Sequence, residues 1–288
     1  MEDTRTLGQF IPLHYHFEML SDNARMSAFK SAINRVVKPG DVVLELGSGT
    51  GVLSFFAAEK ARKVYAVELN LDLVDESRRF LQQNRNGEKV EVIHADAFEY
   101  IPPEPVDVVI CEMLHVGLLR EKQLEVIDAF KRRYQRNFEG SLPIFIPEAV
   151  IQAVMPVQYD FDFDGYYAPI MLFQNPYSNA HSRTMILGDP VIYHQLQYAV
   201  PYMLSCQWSS SLQITEEGTL NALRIITKNI LVYTSEINST ITWDNQFLIV
   251  PLDRELQVHP EQRIAVSLDY HAGAPLSALR PVVSETVS

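Results

Sequence analysis

Three glycines on alternate positions, Gly47, Gly49 and Gly51, follow the apolar run Val43-Leu44 and the acidic Glu45. This spacing lets a strand turn sharply into a helix while leaving backbone N–H groups exposed, so the turn is suited to holding a ligand. A second carboxylate, Glu68, closes the next apolar run, Val64-Tyr65-Ala66-Val67, and Asp96 follows a third at Val90–His94. Further along, Glu112 and Glu121 bracket the segment that leaves one strand and enters a helix, where both can point into one pocket. Each has a plainer reading: Glu112 as a solvated strand end, Glu121 as compensation for a helix dipole.

The elements that would position these groups alternate strictly. Strands are expected at Val42–Leu46, Val64–Glu68, Val90–His94, Val106–Glu112 and Leu142–Ile146, with helices at 52–60, Leu71–Asn84 and Leu118–Tyr134. Nearly continuous apolar strands between amphipathic helices predict a parallel sheet covered on both faces. Ligands of such sheets sit at the C-terminal ends of the strands, where Glu45, Glu68, Asp96 and Glu112 fall. Ahead of the sheet, Phe29, Ile33 and Val36 recur at helical spacing before Pro39-Gly40, predicting a helix over Met26–Val36 capped by Ser21 or Asp22.

Beyond Pro147 the pattern changes to short alternating segments with polar or Pro-rich links. These are Ala149–Val157, Val191–Ile192, Met203–Cys206, Leu220–Thr227, Ile230–Tyr233, Gln246–Pro251 and Arg263–Tyr270. They predict an antiparallel β-barrel or sandwich. Asp160–Gly165 reads as an acidic hairpin tip, because it lacks the terminal glutamate of a calcium loop, and Asn175-Pro176-Tyr177 reads as a turn. Three parts are expected: an N-terminal helical segment over 1–39, a Rossmann-like domain over 40–147 and a β-barrel domain over 148–288.

The 288 residues carry 36 acidic against 24 basic side chains, a net charge of -12, without a block of Lys or Arg. Nucleic acid is therefore disfavoured as a partner, and a cationic substrate would be drawn in. No apolar run is long enough to span a bilayer, and the start Met1-Glu2-Asp3-Thr4-Arg5 lacks a signal-peptide layout, so a cytoplasmic protein is expected with no membrane partner. Two cysteines, Cys111 and Cys206, and no closely paired histidines with a nearby thiol predict no metal.

The pattern Glu45-Leu46-Gly47-Ser48-Gly49-Thr50-Gly51, with Glu68 closing the second strand, resembles the class I S-adenosylmethionine methyltransferases. A nicotinamide dinucleotide is the alternative ligand for such a turn, since an acidic residue about 20 positions on is its ribose signal too. The resemblance implies that Gly47, Ser48, Gly49 and Gly51 pack on the methionine part of the cofactor and that Glu45 orders the loop. It also implies that Glu68 accepts both ribose hydroxyls, which suits a carboxylate. Asp96 would accept from the adenine amino group, with the Ala97 N–H on a ring nitrogen; a turn role is the alternative for Asp96.

Two further stretches narrow the resemblance. His16-Phe17-Glu18-Met19-Leu20-Ser21-Asp22-Asn23-Ala24-Arg25 is similar to the entry helix of the protein arginine N-methyltransferases, and Glu112 with Glu121 resembles their double-glutamate loop. Ile241-Thr242-Trp243 resembles their THW loop, with Thr242 in place of histidine. The resemblance implies that Arg25 meets the cofactor carboxylate, that His16 and Met19 lie near the sulfonium, and that Glu112 and Glu121 hold the acceptor guanidinium. Met113, His115 and Trp243 would complete the acceptor site, and the family's dimerisation arm would fall near Phe161–Asn175, implying a homodimer. The expected activity is methyl transfer to an arginine guanidinium in a protein or peptide. Alternatives are a free arginine or small guanidino or amino acceptor, an RNA or small-molecule O/N-methyltransferase, and a cofactor-binding scaffold without catalysis.

Overall fold

A computed structural model describes residues 11, 13–176, 182–235 and 238–285. The start Met1–Arg5 and Tyr177 of the expected turn lie outside them. The chain opens with α1 (Leu13–Ser21) and α2 (Asn23–Val36), separated at Asp22, whose side chain accepts from the Arg25 N–H as the α2 N-cap. A βα alternation follows: β1 (Val42–Leu46), α3 (Val52–Ala58), β2 (Lys63–Glu68), α4 (Leu71–Gln82), β3 (Val90–His94), β4 (Val108–Cys111), α5 (Gln123–Asn137) and β5 (Ile144–Ile146).

The five strands pair in parallel in the order β3-β2-β1-β4-β5. Alternation along β1 sends Val42, Leu44 and Leu46 to one face, where Leu124, Ile127 and Phe130 of α5 pack. Val43 goes to the other face with Phe29 and Ile33 of α2 and Leu53 and Phe56 of α3. Each fully buried Leu, Ile or Phe stabilises this double-sided core by about 1.5–3 kcal/mol. Glu45 shares the Val43 face and is carried into the interior by strand geometry alone.

The second half is antiparallel. It runs β6 (Ala149–Tyr159), β7 (Asp162–Phe163), β8 (Tyr166–Tyr167), β9 (Leu172–Gln174), β10 (Thr184–Ile186), β11 (Val191–Gln197) and β12 (Ser205–Gln213). It ends with β13 (Gly218–Thr234), β14 (Ser239–Asp244), β15 (Phe247–Val258), β16 (Arg263–His271) and β17 (Val282–Glu285). One sheet runs β10-β6-β13-β15-β9, with β11 on β6 and β14 on β13; β12, β16 and β17 form another. Their facing side chains, among them Leu223, Ile225, Leu248, Val250, Val266 and Leu268, form one core.

Several expectations are corrected. The helix expected from Leu118 begins at Gln123, because Gly117, Leu118 and Arg120 all have positive φ (70°, 57° and 61°) and a right-handed helix cannot pass through them. Glu121 thus precedes the helix. Leu220–Thr227 and Ile230–Tyr233 form one 17-residue strand, β13, whose register shifts at two bulges. The THW-like residues Ile241–Trp243 lie within β14, where Thr242 pairs with Ile230. The hairpin at Asp160–Gly165 is present, tightened by the Gly165 N–H on Asp162 Oδ1 at 2.7 Å.

Candidate active site

The glycine turn is fastened to β2. Gly47 and Ser48 both donate their N–H to the Val67 carbonyl at 2.9 Å, Gly51 donates to Ser48 O, and the Gly49 N–H goes to Glu68 Oε2 at 2.8 Å. These four N–H groups of the turn are therefore spent within the protein, where the sequence reading left the turn's donors exposed. What the glycines provide is room. A Cβ on Gly49 (φ 52°) would stand 2.8 Å from His16 Cε1, and one on Gly47 (φ 74°) would stand 3.0 Å from Met113 Cγ. Gly51 is not among the residues that line the cavity; it starts α3 and backs onto Leu81 and Ser77.

The cavity in front of this turn is lined by His16, Met19, Arg25, Glu45, Gly47, Ser48, Gly49, Glu68, Asp96 and Ala97 at one side and by Glu112, Met113 and Glu121 at the other. Glu68 keeps its second oxygen on the Asn70 N–H at 2.8 Å, and Asp96 Oδ1 accepts from the Phe98 N–H at 2.8 Å, so the turn role of Asp96 is present as well. Two buried polar atoms on the wall, Ser48 Oγ and His16 Nε2, have no hydrogen-bond partner among the described residues. Burial and the nearby Arg25 push the His16 pKa down. Glu45 lies beneath, taking a short hydrogen bond from the Ser54 hydroxyl; burial, opposed by that bond, pushes its pKa up to about 8.

Arg25 reaches across from α2 to the end of β4 and takes Glu112 in a two-pronged ion pair, Nε to Oε1 at 3.1 Å and Nη2 to Oε2 at 2.5 Å. Its Nη1 points at the Met19 carbonyl, 3.4 Å away. The guanidinium expected to meet a cofactor carboxylate is thus engaged by a protein carboxylate here. Glu121 lines the same cavity, and its carboxylate takes no hydrogen bond from a described residue. Burial and the Glu112 charge raise its pKa, against the pull of Arg120.

Glu112, Glu121, Arg25 and Met19 also line a second cavity of about 720 Å³ on the barrel side. Its wall includes Glu18, Asp22 and Asp244 as further acids, with Tyr15, His115, Phe173 and Trp243 as rings. His115 packs edge-on to Phe173, and burial pushes its pKa down to about 4. Trp243 packs on Phe29, and its buried Nε1–H has no partner among the described residues. Met113 lines only the first cavity; His115 and Trp243 line only the second.

Two residues that no motif marks hold the loop between the glutamates. Thr227 of β13 accepts the Gly117 N–H at 2.8 Å and donates to Gln152 at 2.6 Å, deep in the barrel. Val116 and Leu119 bury themselves in the barrel core beside it. Asn245 Nδ2 reaches the Leu114 carbonyl at 3.4 Å. Only the long-range register of β13 and β14 brings these groups to the loop, so a local sequence pattern carries no sign of them.

Residues 43–137 match the family described as "Methyltransferase domain". The chain is a class I S-adenosylmethionine-dependent methyltransferase. It resembles the protein arginine N-methyltransferases. Protein arginine N-methyltransferase PRMT10 of Arabidopsis thaliana is 29% identical over 207 residues, 68% of this chain and 52% of that protein. The methyltransferase thus spans about half the length of that relative. An uncharacterised protein of Methanocaldococcus jannaschii is 27% identical over 92% of this chain and 95% of its own length. In fold, the chain superposes on the Trypanosoma brucei PRMT1 enzyme-prozyme heterotetrameric complex with AdoHcy, at TM-score 0.76 and 16% identity, covering 95% of this chain and 98% of the other. Among the described residues no helix of this methyltransferase is long and apolar enough to cross a membrane.

Proposed function

We propose that this methyltransferase transfers a methyl group to a guanidinium nitrogen of arginine in a protein or peptide. One observation carries the reading: Glu112 and Glu121 stand at the junction of two cavities, one against the glycine turn and one rimmed by acids. The protein arginine N-methyltransferases it resembles point the same way.

The wall of the first cavity suits the donor. Unpartnered Ser48 Oγ and His16 Nε2, the glycine floor, and the carboxylates of Glu68 and Asp96 supply polar partners for its amino-acid, ribose and adenine parts. When bound, S-adenosylmethionine supplies an electrophilic methyl group on a positively charged sulfur. Gly47, Ser48, Gly49, His16, Met19, Glu45, Glu68, Asp96 and Ala97 are the residues assigned to hold it, with Arg25 bridging to Glu112.

A planar cation with five donors is matched by two carboxylates. Arg25 fixes Glu112, so Glu112 serves as a rigid wall and Glu121, with no partner of its own, takes the guanidinium. Orientation of this kind lowers a barrier by about 7–11 kcal/mol in favourable cases. Removing a guanidinium proton beforehand at neutral pH would cost about 8 kcal/mol, so the proton leaves during or after transfer. Glu121, its affinity for protons raised by burial, is placed to receive it.

Incubating the protein with methyl-labelled donor and arginine peptides, then locating the label by mass spectrometry, tests the proposal. Label on an arginine side chain supports it; label absent from every guanidino acceptor, with donor binding intact, overturns it. A homodimer is part of the same reading, supported by exposed Phe163, Tyr166 and Tyr167 on the β7–β8 hairpin. Sedimentation as a monomer removes that part alone.

A further inference from the structure

Arg120 is the residue that the proposed chemistry leaves unused. It lines the 720 Å³ cavity together with Glu121, its neighbour in the chain. The cavity has one other arginine, Arg25, and that one is already held by Glu112. Among the described residues the Arg120 guanidinium has no hydrogen bond and no ion pair; its charge is felt only as a field at Glu121 and His115. Arg120 is exposed and Glu121 partly buried, so a cation and an anion without partners stand side by side at this cavity.

The backbone explains how they are kept apart. Arg120 sits at φ 61°, a left-handed conformation that side chains other than glycine rarely adopt. Its N–H is taken by the Ala274 carbonyl at 2.7 Å, and the Glu121 N–H by the Leu119 carbonyl at 2.6 Å. The core packing of Val116 and Leu119 and the Thr227 bond to Gly117 fix the turn on its other side. Conformational strain is thus maintained where it aims an arginine at the cavity, in a chain otherwise rich in acids around that space. Glu18, Asp22, Glu112, Glu121 and Asp244 give the cavity a strong preference for a cation. Arg120 supplies the one positive group among its described lining residues that is not paired within the protein.

We propose that Arg120 binds a carboxylate on the acceptor, so that the preferred substrate carries a carboxylate close to its guanidinium. The inference rests on the guanidinium reading above and deepens it. Two sources supply the same chemistry: the α-carboxylate of arginine itself, or an acidic side chain beside the target arginine in a peptide. In either, Glu121 takes the positive end and Arg120 the negative end.

The test compares matched acceptors with the wild-type protein, Arg120→Gln and Arg120→Lys. One pair is arginine against agmatine, which lacks the carboxylate; the other is a peptide with Asp beside arginine against the same peptide with Asn. Loss of one charge-assisted contact is expected to raise KM about tenfold to a hundredfold for the carboxylate-bearing member in Arg120→Gln. Measured at a pH above the acid limb of Glu121, kcat stays within about twofold, the member without the carboxylate shows no such rise in KM, and Arg120→Lys recovers part of the loss. Which pair shows the effect identifies the source of the carboxylate. If Arg120→Gln alters both members equally, or neither, the inference is overturned while guanidinium transfer stands. If the wild-type protein methylates no member of either pair yet binds S-adenosylhomocysteine by calorimetry, the underlying reading fails and takes this one with it.

Discussion

Arg25 holds Glu112 by both carboxylate oxygens, at 3.1 and 2.5 Å, across 87 positions of sequence. Both side chains are largely buried, so removing one partner strands the other charge, at a cost of about 3–5 kcal/mol. Glu121 has no such bond to lose. Glu112→Ala is therefore expected to lower both the thermal midpoint and turnover, whereas Glu121→Gln keeps the midpoint within a degree or two and lowers kcat by at least a hundredfold. Thermal unfolding beside a transfer assay on the same two variants checks it. A Glu112→Ala protein as stable as wild type would show that the pair does not hold the fold.

The proposed task of Glu121 requires its carboxylate to be ionised when the guanidinium enters. Burial and the Glu112 charge raise its pKa above the ordinary carboxylate range. Below that pKa it is protonated and cannot pair with a cation, so kcat/KM is expected to climb with pH on an acid limb lying above the usual 4 to 4.5. Arg120 pulls the Glu121 pKa down, so Arg120→Gln moves this limb to higher pH. A pH profile of kcat/KM for an acceptor without a carboxylate, such as agmatine, reads the shift. A limb that stays in place would mean the two charges do not sense each other.

Glu45 gives a separate prediction, on stability. Its pKa in the folded chain is pushed up to about 8, above the value near 4.3 in an unfolded chain. A group with a raised folded pKa stabilises fully below its unfolded pKa and loses that contribution as pH rises through the folded one. The donor-free protein should therefore lose up to roughly 1.4 kcal/mol per pH unit from this residue between about pH 4.5 and 8. Glu45→Gln, neutral throughout, removes that slope and gains on wild type as pH rises. Urea unfolding at pH 5 and pH 8 for both proteins checks the difference, and equal slopes would rule out the buried-acid account.

Much of this was readable locally. The βα alternation, the glycine turn and the acidic strand ends all rest on periodicity and turn chemistry within a few residues, and the parallel sheet follows them. The Asp22 cap of α2 is equally local. The loop from Glu112 to Glu121 is different. Of its three positive-φ residues only Gly117 is a glycine, and the conformation is imposed by the barrel core and by Thr227, whose bond to Gly117 spans 110 positions. For the same reason sequence periodicity places the helix start five residues early, and the segment that resembles the THW loop is a strand because β13 pairs with it. Arg25 showed its type and neighbourhood in the sequence, but its choice of Glu112 is a tertiary fact.

The closest approach at the donor cavity lies between Gly49 and His16. A methyl group on Gly49 would sit 2.8 Å from His16 Cε1 and 3.2 Å from its Nδ1, closer than packed atoms allow, and the backbone there is left-handed at φ 52°. Gly49→Ala thus carries two penalties: about 1–2 kcal/mol of conformational strain, and a displaced imidazole. Only the second is relieved by truncating the ring. Calorimetric affinity for S-adenosylhomocysteine should fall at least tenfold in Gly49→Ala, and the added loss should shrink when the same change is made in a His16→Ala background. The two substitutions are then non-additive, as contacts between neighbours are. Strict additivity would mean that the alanine acts through the backbone alone and that α1 does not close over the glycine turn.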